Sequence, residues 1–242
     1  PTTVEFFEVF PHFIIELSTL EREITSKALF AEGSWDVTDR LTLTAGARWS
    51  EDEIKARETK IEFESLLPAQ RAKDSWDDVS PRFAANFAVS DDVNLYATVP
   101  KGWYSGGINM ELSPPTDPFN KFASDTLSNY EIGIKGTSTR FRYSTALFVI
   151  DWDDVQINTS TPVWGFFAAV NGGKASSKGV EFELDGRLTD RLGVNFGYTY
   201  VDAKLDEDAV SPTGFVLGSA GNRLPGTPEH TVMAGLAYTA PA

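Results

Sequence analysis

A short polar motif recurs along the chain at intervals of about fifty residues and sets the framework for its fold. Its copies begin at residues 38, 90, 138 and 189, and they are Thr38–Leu41, Ser90–Val93, the degenerate Ser138–Phe141 and Thr189–Leu192. Each copy is a polar stretch that lies between two apolar runs. Such a pattern is typical of a tight turn that joins two antiparallel strands. The spacing therefore predicts a series of strand pairs that all reverse at the same edge of a sheet.

The runs beside these turns alternate between apolar and polar residues. The residues predicted to share one face after the first turn are Leu41, Leu43, Ala45, Ala47 and Trp49. The run from Leu192 to Tyr200 repeats the pattern after the last turn. A period of two places apolar side chains on one face of a strand, whereas it would scatter them around a helix. The alternation therefore predicts β-strands with one apolar and one polar face.

The predicted fold is an all-β, antiparallel up-and-down meander of about nine or ten strands over residues 27–242. The polar stretches between the turns predict longer connections at the opposite edge of the sheet, at 51–76, 101–126, 159–165 and 203–226. Residues 1–26 carry little pattern, and only Phe13–Leu17 is compatible with a strand there.

The amino-acid composition limits the classes of binding partner, cofactor and membrane segment that the chain can have. The 35 acidic and 21 basic residues give a net charge of −14, which argues against a nucleic-acid binder. The chain has no cysteine and two histidines, so no metal or other cofactor is expected. No window approaches the 18 apolar residues of a transmembrane helix, but a membrane-spanning strand needs only about 9–11 alternating residues.

The apolar faces could meet in the core of a soluble sandwich or could face lipid. Aromatic residues lie near both ends of the runs, with Trp35 and Tyr238 near tight turns and Trp49 and Tyr200 near the longer connections. Membrane interfaces select such aromatic girdles, and a run of about ten residues tilted by about 45° spans roughly 23 Å. A transmembrane β-barrel segment is therefore the favoured prediction. A small porin-like channel and a soluble carbohydrate-binding β-sandwich are the alternatives.

Several longer strings resemble strands of one family of membrane proteins. They are Tyr96–Asn109, Asn129–Gly136, Asn171–Ala175, Lys178–Glu183 and Gly221–His230. In their order and spacing these strings resemble the barrel of TonB-dependent outer-membrane receptors, most of all the iron-siderophore branch.

The resemblance implies a fragment of a 22-stranded barrel in the outer membrane of a Gram-negative bacterium, without enzymatic activity. Complete members take up scarce nutrients, mostly ferric siderophores, in an energy-dependent way. An N-terminal plug fills their barrel and moves when the periplasmic protein TonB pulls on it. No plug-like segment and no energy-coupling box is recognisable here, so we expect the C-terminal part of such a barrel.

Five residues are candidates for contact with a ligand. Trp103 and Tyr104 lie in the glycine-rich stretch Gly102–Gly107 at the expected mouth of the barrel, and Asn109 follows that stretch. Arg48 and Arg82 fall on the polar face, where they could attract an anionic iron chelate. The alternative is that acidic residues on neighbouring strands neutralise these cations.

Overall fold

The computed structural model describes residues 2–10, 13–62, 65–66, 69–109, 119–160 and 167–240. The strands are β1 (Thr2–Phe10), β2 (Phe13–Thr38), β3 (Leu41–Glu62), β4 (Ser65–Leu66), β5 (Gln70–Ser90), β6 (Val93–Tyr104), β7 (Gly107–Ile108), β8 (Lys121–Phe122), β9 (Asp125–Thr137), β10 (Phe141–Asp153), β11 (Gln156–Ser160), β12 (Phe167–Asn171), β13 (Ala175–Arg187), β14 (Leu192–Leu205), β15 (Ala209–Val210), β16 (Val216–Gly218) and β17 (His230–Tyr238). Among these residues, no helix has the length and apolar character needed to cross a membrane.

One antiparallel sheet contains all the long strands. Its order is β1-β2-β3-β5-β6-β9-β10-β13-β14-β17, and β4 joins it beside β3. The other short strands pair as β7–β8, β11–β12 and β15–β16. Because each strand of the main path pairs with the one before and after it, the sheet is an up-and-down meander. The predicted fold class, with about ten strands, is confirmed.

A hydroxyl group stabilises each of the four tight turns. The side-chain oxygen of the first residue of the motif accepts a hydrogen bond from a backbone amide two or three residues later, at 3.0–3.4 Å. These hydroxyls belong to Thr38, Ser90, Ser138 and Thr189. Serine and threonine favour this local bond at a chain reversal. The recurrence of a hydroxyl residue in the motif therefore has a direct structural reason.

The apolar face of the sheet is open. Among its larger side chains, Phe83 is 57%, Ile132 57% and Leu147 56% exposed. Within the part of the chain that the structure describes, no second sheet covers this face. A soluble sandwich would bury these side chains in a core, so the fold does not match that alternative.

The open apolar surface has the form of a band of constant height. It covers five alternate positions on each of three strands, at residues 41–49 of β3, 79–87 of β5 and 192–200 of β14. At about 3.4 Å per residue and about 45° tilt, this span corresponds to roughly 19 Å along a barrel axis. Beyond the band the same face becomes charged, at Glu51, Asp77 and Asp202.

The band runs obliquely to the strands. One row of facing residues runs across β3, β5 and β6 as Ala45, Phe83 and Val99, and across β9, β10, β13 and β14 as Tyr130, Val149, Lys178 and Asp202. The pairs Thr98–Glu131 and Lys101–Ser128 between β6 and β9 place Val99 level with Tyr130. The row begins apolar and ends charged, so it leaves the band as it crosses the sheet. Strands of a closed barrel tilt relative to its axis in this way. In the described residues β1 and β17 do not pair with each other.

Two expectations about the connections need correction. Residues 51–76 were expected to form a long connection, but β3 continues to Glu62 and β5 starts at Gln70. Beyond the apolar band the outward face becomes charged and apolar residues move to the opposite face, where Ile54 and Ala56 are buried with Leu20 and Ile108. The apolar stripe that predicts the strand therefore does not continue along the same face. The stretches 101–126 and 203–226 also contain strand segments, including β7, β8, β15 and β16. Part of 159–165 lies outside the described residues, and β1 and half of β2 fall within 1–26.

Candidate ligand site at the long-connection end

A cavity of about 850 Å³ lies on the polar face of the sheet, at the end opposite the tight turns. Strands β2 and β3 form one wall, and the segment from β6 to β7 forms another. Four of the five predicted ligand residues line it, namely Arg48, Trp103, Tyr104 and Asn109. Arg82 does not line the cavity.

The aromatic pair in the cavity wall is partly fixed in place. The indole Nε1 of Trp103 donates a hydrogen bond to Ser50 Oγ at 2.7 Å. Beside it, Lys101 Nζ lies 2.7 Å from a carboxylate oxygen of Asp78. Tyr104 is 70% exposed, so its ring is available to another molecule. Because the indole N–H is already used, Trp103 offers its ring surface rather than a hydrogen bond.

Arg48 differs from the other arginines of the polar face. Arg82 pairs with Glu32 at 3.2 Å, and Arg142 pairs with Asp185 at 3.2 Å. Carboxylates on neighbouring strands thus neutralise the charges of these two arginines. Arg48 is exposed and has neither an ion pair nor a hydrogen bond with any described residue. Arg22 also lines the cavity and has no ion pair with a described residue, but it is only partly exposed and its Nη2 donates to the Ile108 carbonyl at 2.9 Å. The guanidinium group of Arg48 is therefore the more accessible cation for an anion.

Asn109 lines the cavity, but its side-chain amide is hydrogen-bonded to backbone and not open to a ligand. Its Nδ2 donates to the carbonyl oxygens of Phe119 at 2.9 Å and Ala169 at 2.6 Å. Its Oδ1 accepts a hydrogen bond from the Ala169 amide at 3.2 Å. The side chain therefore ties the β6–β7 segment to β12 and shapes the cavity wall, and its polar atoms are engaged with backbone.

Two further amide side chains join the long connections, and the sequence reasoning missed this role. Gln156 Nε2 donates to the carbonyl oxygens of Ser105 at 3.0 Å and Ala123 at 3.1 Å. Asn171 Oδ1 accepts from the Ala123 amide at 2.7 Å, and its Nδ2 donates to the Asp154 carbonyl at 2.9 Å. No periodic pattern marks such residues, because their partners are backbone atoms that are distant in sequence.

Charged groups also hold the connections on the sheet. Lys121 Nζ, beside β7, lies 2.7 Å from an Asp74 carboxylate oxygen on β5. The hydrogen bond from Lys121 lowers the pKa of Asp74 below its usual 3.8. Asp125 is only 6% exposed, and this burial raises its pKa although the Trp152 indole and two backbone amides donate to it. Among the described side chains, no group of three His, Cys, Asp or Glu could hold a metal ion.

The four predicted interface aromatics lie on the apolar face. Trp35 is 69% and Tyr238 67% exposed, and both lie toward the tight-turn end. Trp49, which is 38% exposed, and Tyr200 are the last band residues before the charged positions Glu51 and Asp202. Tyr130, 48% exposed, has the equivalent position on β9. It was not among the predicted interface residues.

The architecture has counterparts among known proteins. Residues 15–242 match the family model for the TonB dependent receptor-like β-barrel. The chain belongs to this family. The match begins ahead of residue 27, where the sequence analysis placed the start of the barrel region. Members of the family are transport receptors of the Gram-negative outer membrane and not enzymes.

Relatives of this receptor barrel include proteins named for siderophores. The pesticin receptor of Yersinia enterocolitica is 24% identical over 84% of this chain, and the matched part is 28% of that protein. The ferric-pyoverdine M114 receptor PbuA of a Pseudomonas strain is 26% identical over 72% of this chain and 20% of its own length. The chain thus spans less than a third of the relatives that it matches.

Solved structures share the fold of this receptor barrel. The ferric yersiniabactin uptake receptor FyuA from Yersinia pestis superposes with a TM-score of 0.78 at 21% identity, over 94% of this chain and 33% of that one. The siderophore receptor PiuA from Acinetobacter baumannii gives 0.68 at 20% identity, over 93% and 32%.

Proposed function

We propose that this chain forms part of the wall of an outer-membrane receptor for the energy-dependent uptake of a scarce nutrient, a ferric siderophore. One observation carries the proposal: the sheet has an open apolar band of constant height on one face and a polar face with a cavity on the other. A wall between lipid and a wet interior needs both surfaces. Membership of the TonB-dependent receptor family supports the same function.

The cavity suits an anionic chelate with planar groups. Arg48 supplies a cation without a partner among the described residues, and Trp103 and Tyr104 supply aromatic surface. A cation in a low-dielectric cleft attracts anions, and aromatic rings stack on planar ligands. The names of the relatives, among them a ferric-pyoverdine receptor, support an iron chelate as the ligand.

The proposal places the chain in the outer membrane of a Gram-negative bacterium. Trp35 and Tyr238 would lie at one lipid interface, and Trp49 and Tyr200 at the other. The polar face would surround a plug supplied by another part of the protein, through which periplasmic TonB acts. The long connections would face outward and capture the chelate.

Growth under iron limitation tests the function. A receptor-deleted strain is complemented with the full reading frame that contains this chain and is supplied with a panel of ferric chelates. We expect TonB-dependent growth on at least one siderophore, with weaker uptake by Arg48→Gln than by the control Arg82→Gln. Growth on no chelate would contradict the proposal. Passage of small solutes without TonB would instead favour the porin-like channel.

A further inference from the structure

The β11–β12 hairpin forms a third wall of the cavity. From this hairpin Asn158, Phe167 and Ala169 line the cavity, and from the end of β6 Tyr104 lines it as well. Phe167 is 70% exposed, the same fraction as Tyr104. Each of these two walls thus presents one exposed aromatic ring to a molecule in the cavity. The distance between the two rings depends on what joins the walls.

One buried carboxylate joins them. Asp125, the first residue of β9, is 6% exposed. Its carboxylate accepts hydrogen bonds from the backbone amide of Tyr104 at the end of β6 and from that of Gln156 at the start of β11. The indole of Trp152 on β10 donates a third. Donors from three different strands therefore converge on this side chain.

The side chain of Gln156 binds the same segments in the opposite direction. Its Nε2 donates to the carbonyl oxygen of Ser105, directly after Tyr104, and to that of Ala123, two residues before Asp125. The end of β6, the segment before β9 and the start of β11 therefore form one hydrogen-bonded unit.

The short ladder of the hairpin extends this unit to the second aromatic ring. Gln156 pairs with Asn171, and Ser160 pairs with Phe167 at the other end of the ladder. The Asn171 Oδ1 also accepts the Ala123 amide at 2.7 Å. Because both strands of the hairpin are fixed at this end, the position of Phe167 follows from the hydrogen bonds at Gln156 and Asn171.

Only a carboxylate suits position 125. A carboxylate has about four sites that accept hydrogen bonds and none that donate, whereas an asparagine of the same size has one acceptor oxygen and an amide that donates. The charge of Asp125 is not used in an ion pair with any described residue. Burial raises the pKa of its carboxyl, and the three donors oppose this change by stabilising the ionised form.

We infer that Asp125 is a positioning residue that sets the spacing of Tyr104 and Phe167 and thereby the affinity of the cavity for its ligand. The inference rests on the proposed function, because it takes the cavity as the site of the chelate. The Tyr104 hydroxyl forms no hydrogen bond with a described residue, so the backbone of β6 determines where the ring lies. Supporting residues must hold such contact groups to within about 0.5 Å.

Spin labels at positions 104 and 167 of the full receptor measure this spacing without any ligand. Both side chains are exposed, and the introduced cysteines of Tyr104→Cys and Phe167→Cys are the only ones in this chain. Electron paramagnetic resonance should give a narrow distribution of label distances. Adding Asp125→Asn should broaden and shift it, because one acceptor oxygen cannot satisfy three donors.

Two controls separate this effect from a general loss of structure. Labels at the exposed turn residues Asp39 and Asp190 should keep the same distances in every variant. Asp208→Asn is a matched change at the same end of the sheet, since its carboxylate accepts the Ala220 amide at 2.8 Å, and it should leave the distance between the rings unchanged. If Asp125→Asn does not fold, Trp152→Phe removes one donor from the same carboxylate and should cause a smaller change in the same direction.

Binding of radiolabelled ferric pyoverdine and ferric yersiniabactin, the chelates named in two of the related receptors, tests the consequence for the ligand. We expect Asp125→Asn to bind the accepted chelate about tenfold more weakly than wild type. In a receptor that already carries Tyr104→Ala and Phe167→Ala, adding Asp125→Asn should weaken binding less than about twofold, because residues that act through one another are not additive.

Other results would overturn the inference. Unchanged distances in both Asp125→Asn and Trp152→Phe, or equal broadening in Asp208→Asn, would show that Asp125 does not set the spacing. Equal losses of affinity with and without the two rings would show that it does not act through them. If wild type binds no chelate of the growth panel while the distances change as expected, the proposed function is wrong and the role of Asp125 in the cavity wall stands.

Discussion

An arginine placed on the apolar band should cost far more than an arginine one residue away. Ala45 is the third of five band positions on β3, so it lies near the middle of the band. An arginine at the bilayer midplane of a barrel costs about 2–4 kcal/mol, falling to about 0–1 near the interface. Ala45→Arg should therefore lower the free energy of unfolding by about 2–4 kcal/mol, which is roughly a 30- to 700-fold change in the equilibrium constant.

Two control variants separate depth and face from the general effect of an arginine. Thr44→Arg adds the same charge on the polar face, where it removes one exposed 2.9 Å hydrogen bond to Ser34 and should cost about 1 kcal/mol. Thr25→Arg lies on the outward face beyond the band, opposite Glu53, and should cost about 0–1 kcal/mol.

The assay is equilibrium unfolding of the full receptor in lipid vesicles, followed by tryptophan fluorescence. We expect the loss of unfolding free energy to be largest for Ala45→Arg, much smaller for Thr44→Arg and smallest for Thr25→Arg. Equal costs at Ala45 and Thr44 would refute the assignment of the faces. A cost at Thr25 as large as that at Ala45 would refute the height of the band.

Three smaller predictions concern the sheet and its connections. A Cβ on Gly133 would lie 2.6 Å from the Tyr96 ring, so Gly133→Val should displace that ring and lower the free energy of unfolding by about 1–3 kcal/mol in the same assay. The control Gly33→Val should cost much less, because no atom lies within 4 Å of the added Cβ. Thr189→Val removes the hydroxyl that accepts two turn amides and should lower the free energy of unfolding by about 0.5–1.5 kcal/mol, a difference that Thr189→Ser should restore. The attraction between Lys121 and Asp74 is complete above the ordinary pKa of 3.8 and is lost as the pH falls through the lowered folded value. Protease cleavage at β8 should therefore rise only below about pH 3.8 in wild type but should already be high at neutral pH in Lys121→Met.

Each of these three predictions has a result that would contradict it. Wild-type stability in Gly133→Val would mean that Tyr96 does not pack on that glycine. An unchanged unfolding midpoint in Thr189→Val would show that the turn hydroxyl contributes nothing. Cleavage that is independent of pH and of Lys121 would remove the ion pair as the link between the connection and β5.

The turns and the faces of the strands could be predicted because both depend on local chemistry. The hydroxyl of Thr38 bonds to amides two and three residues later, so four residues contain the whole signal. The alternation from Leu41 to Trp49 reflects two solvents on two sides of one strand. Neither inference needed knowledge of distant contacts.

The length of the strands and the roles of several site residues could not be predicted in this way. Beyond Trp49 the outward face of β3 becomes charged, and the apolar residues Ile54 and Ala56 are buried on the opposite face, so the apolar stripe changes sides although the hydrogen-bonded ladder continues. Asn109 was expected to meet a ligand, but its amide binds backbone of a strand about sixty residues later. That Arg48 lacks a partner while Arg82 has Glu32 follows from the register of three strands, which the sequence does not specify.

Quenching of single tryptophans by brominated lipid tests most directly whether the open face contacts acyl chains. Full receptors that keep only Trp35, Trp49 or Trp103, with the other tryptophans changed to phenylalanine, are reconstituted in vesicles. Trp35 and Trp49 lie on the apolar face and should be strongly quenched, whereas Trp103, bonded to Ser50 on the polar face, should not be. Equal quenching at all three positions, or strong quenching at Trp103 alone, would contradict the account.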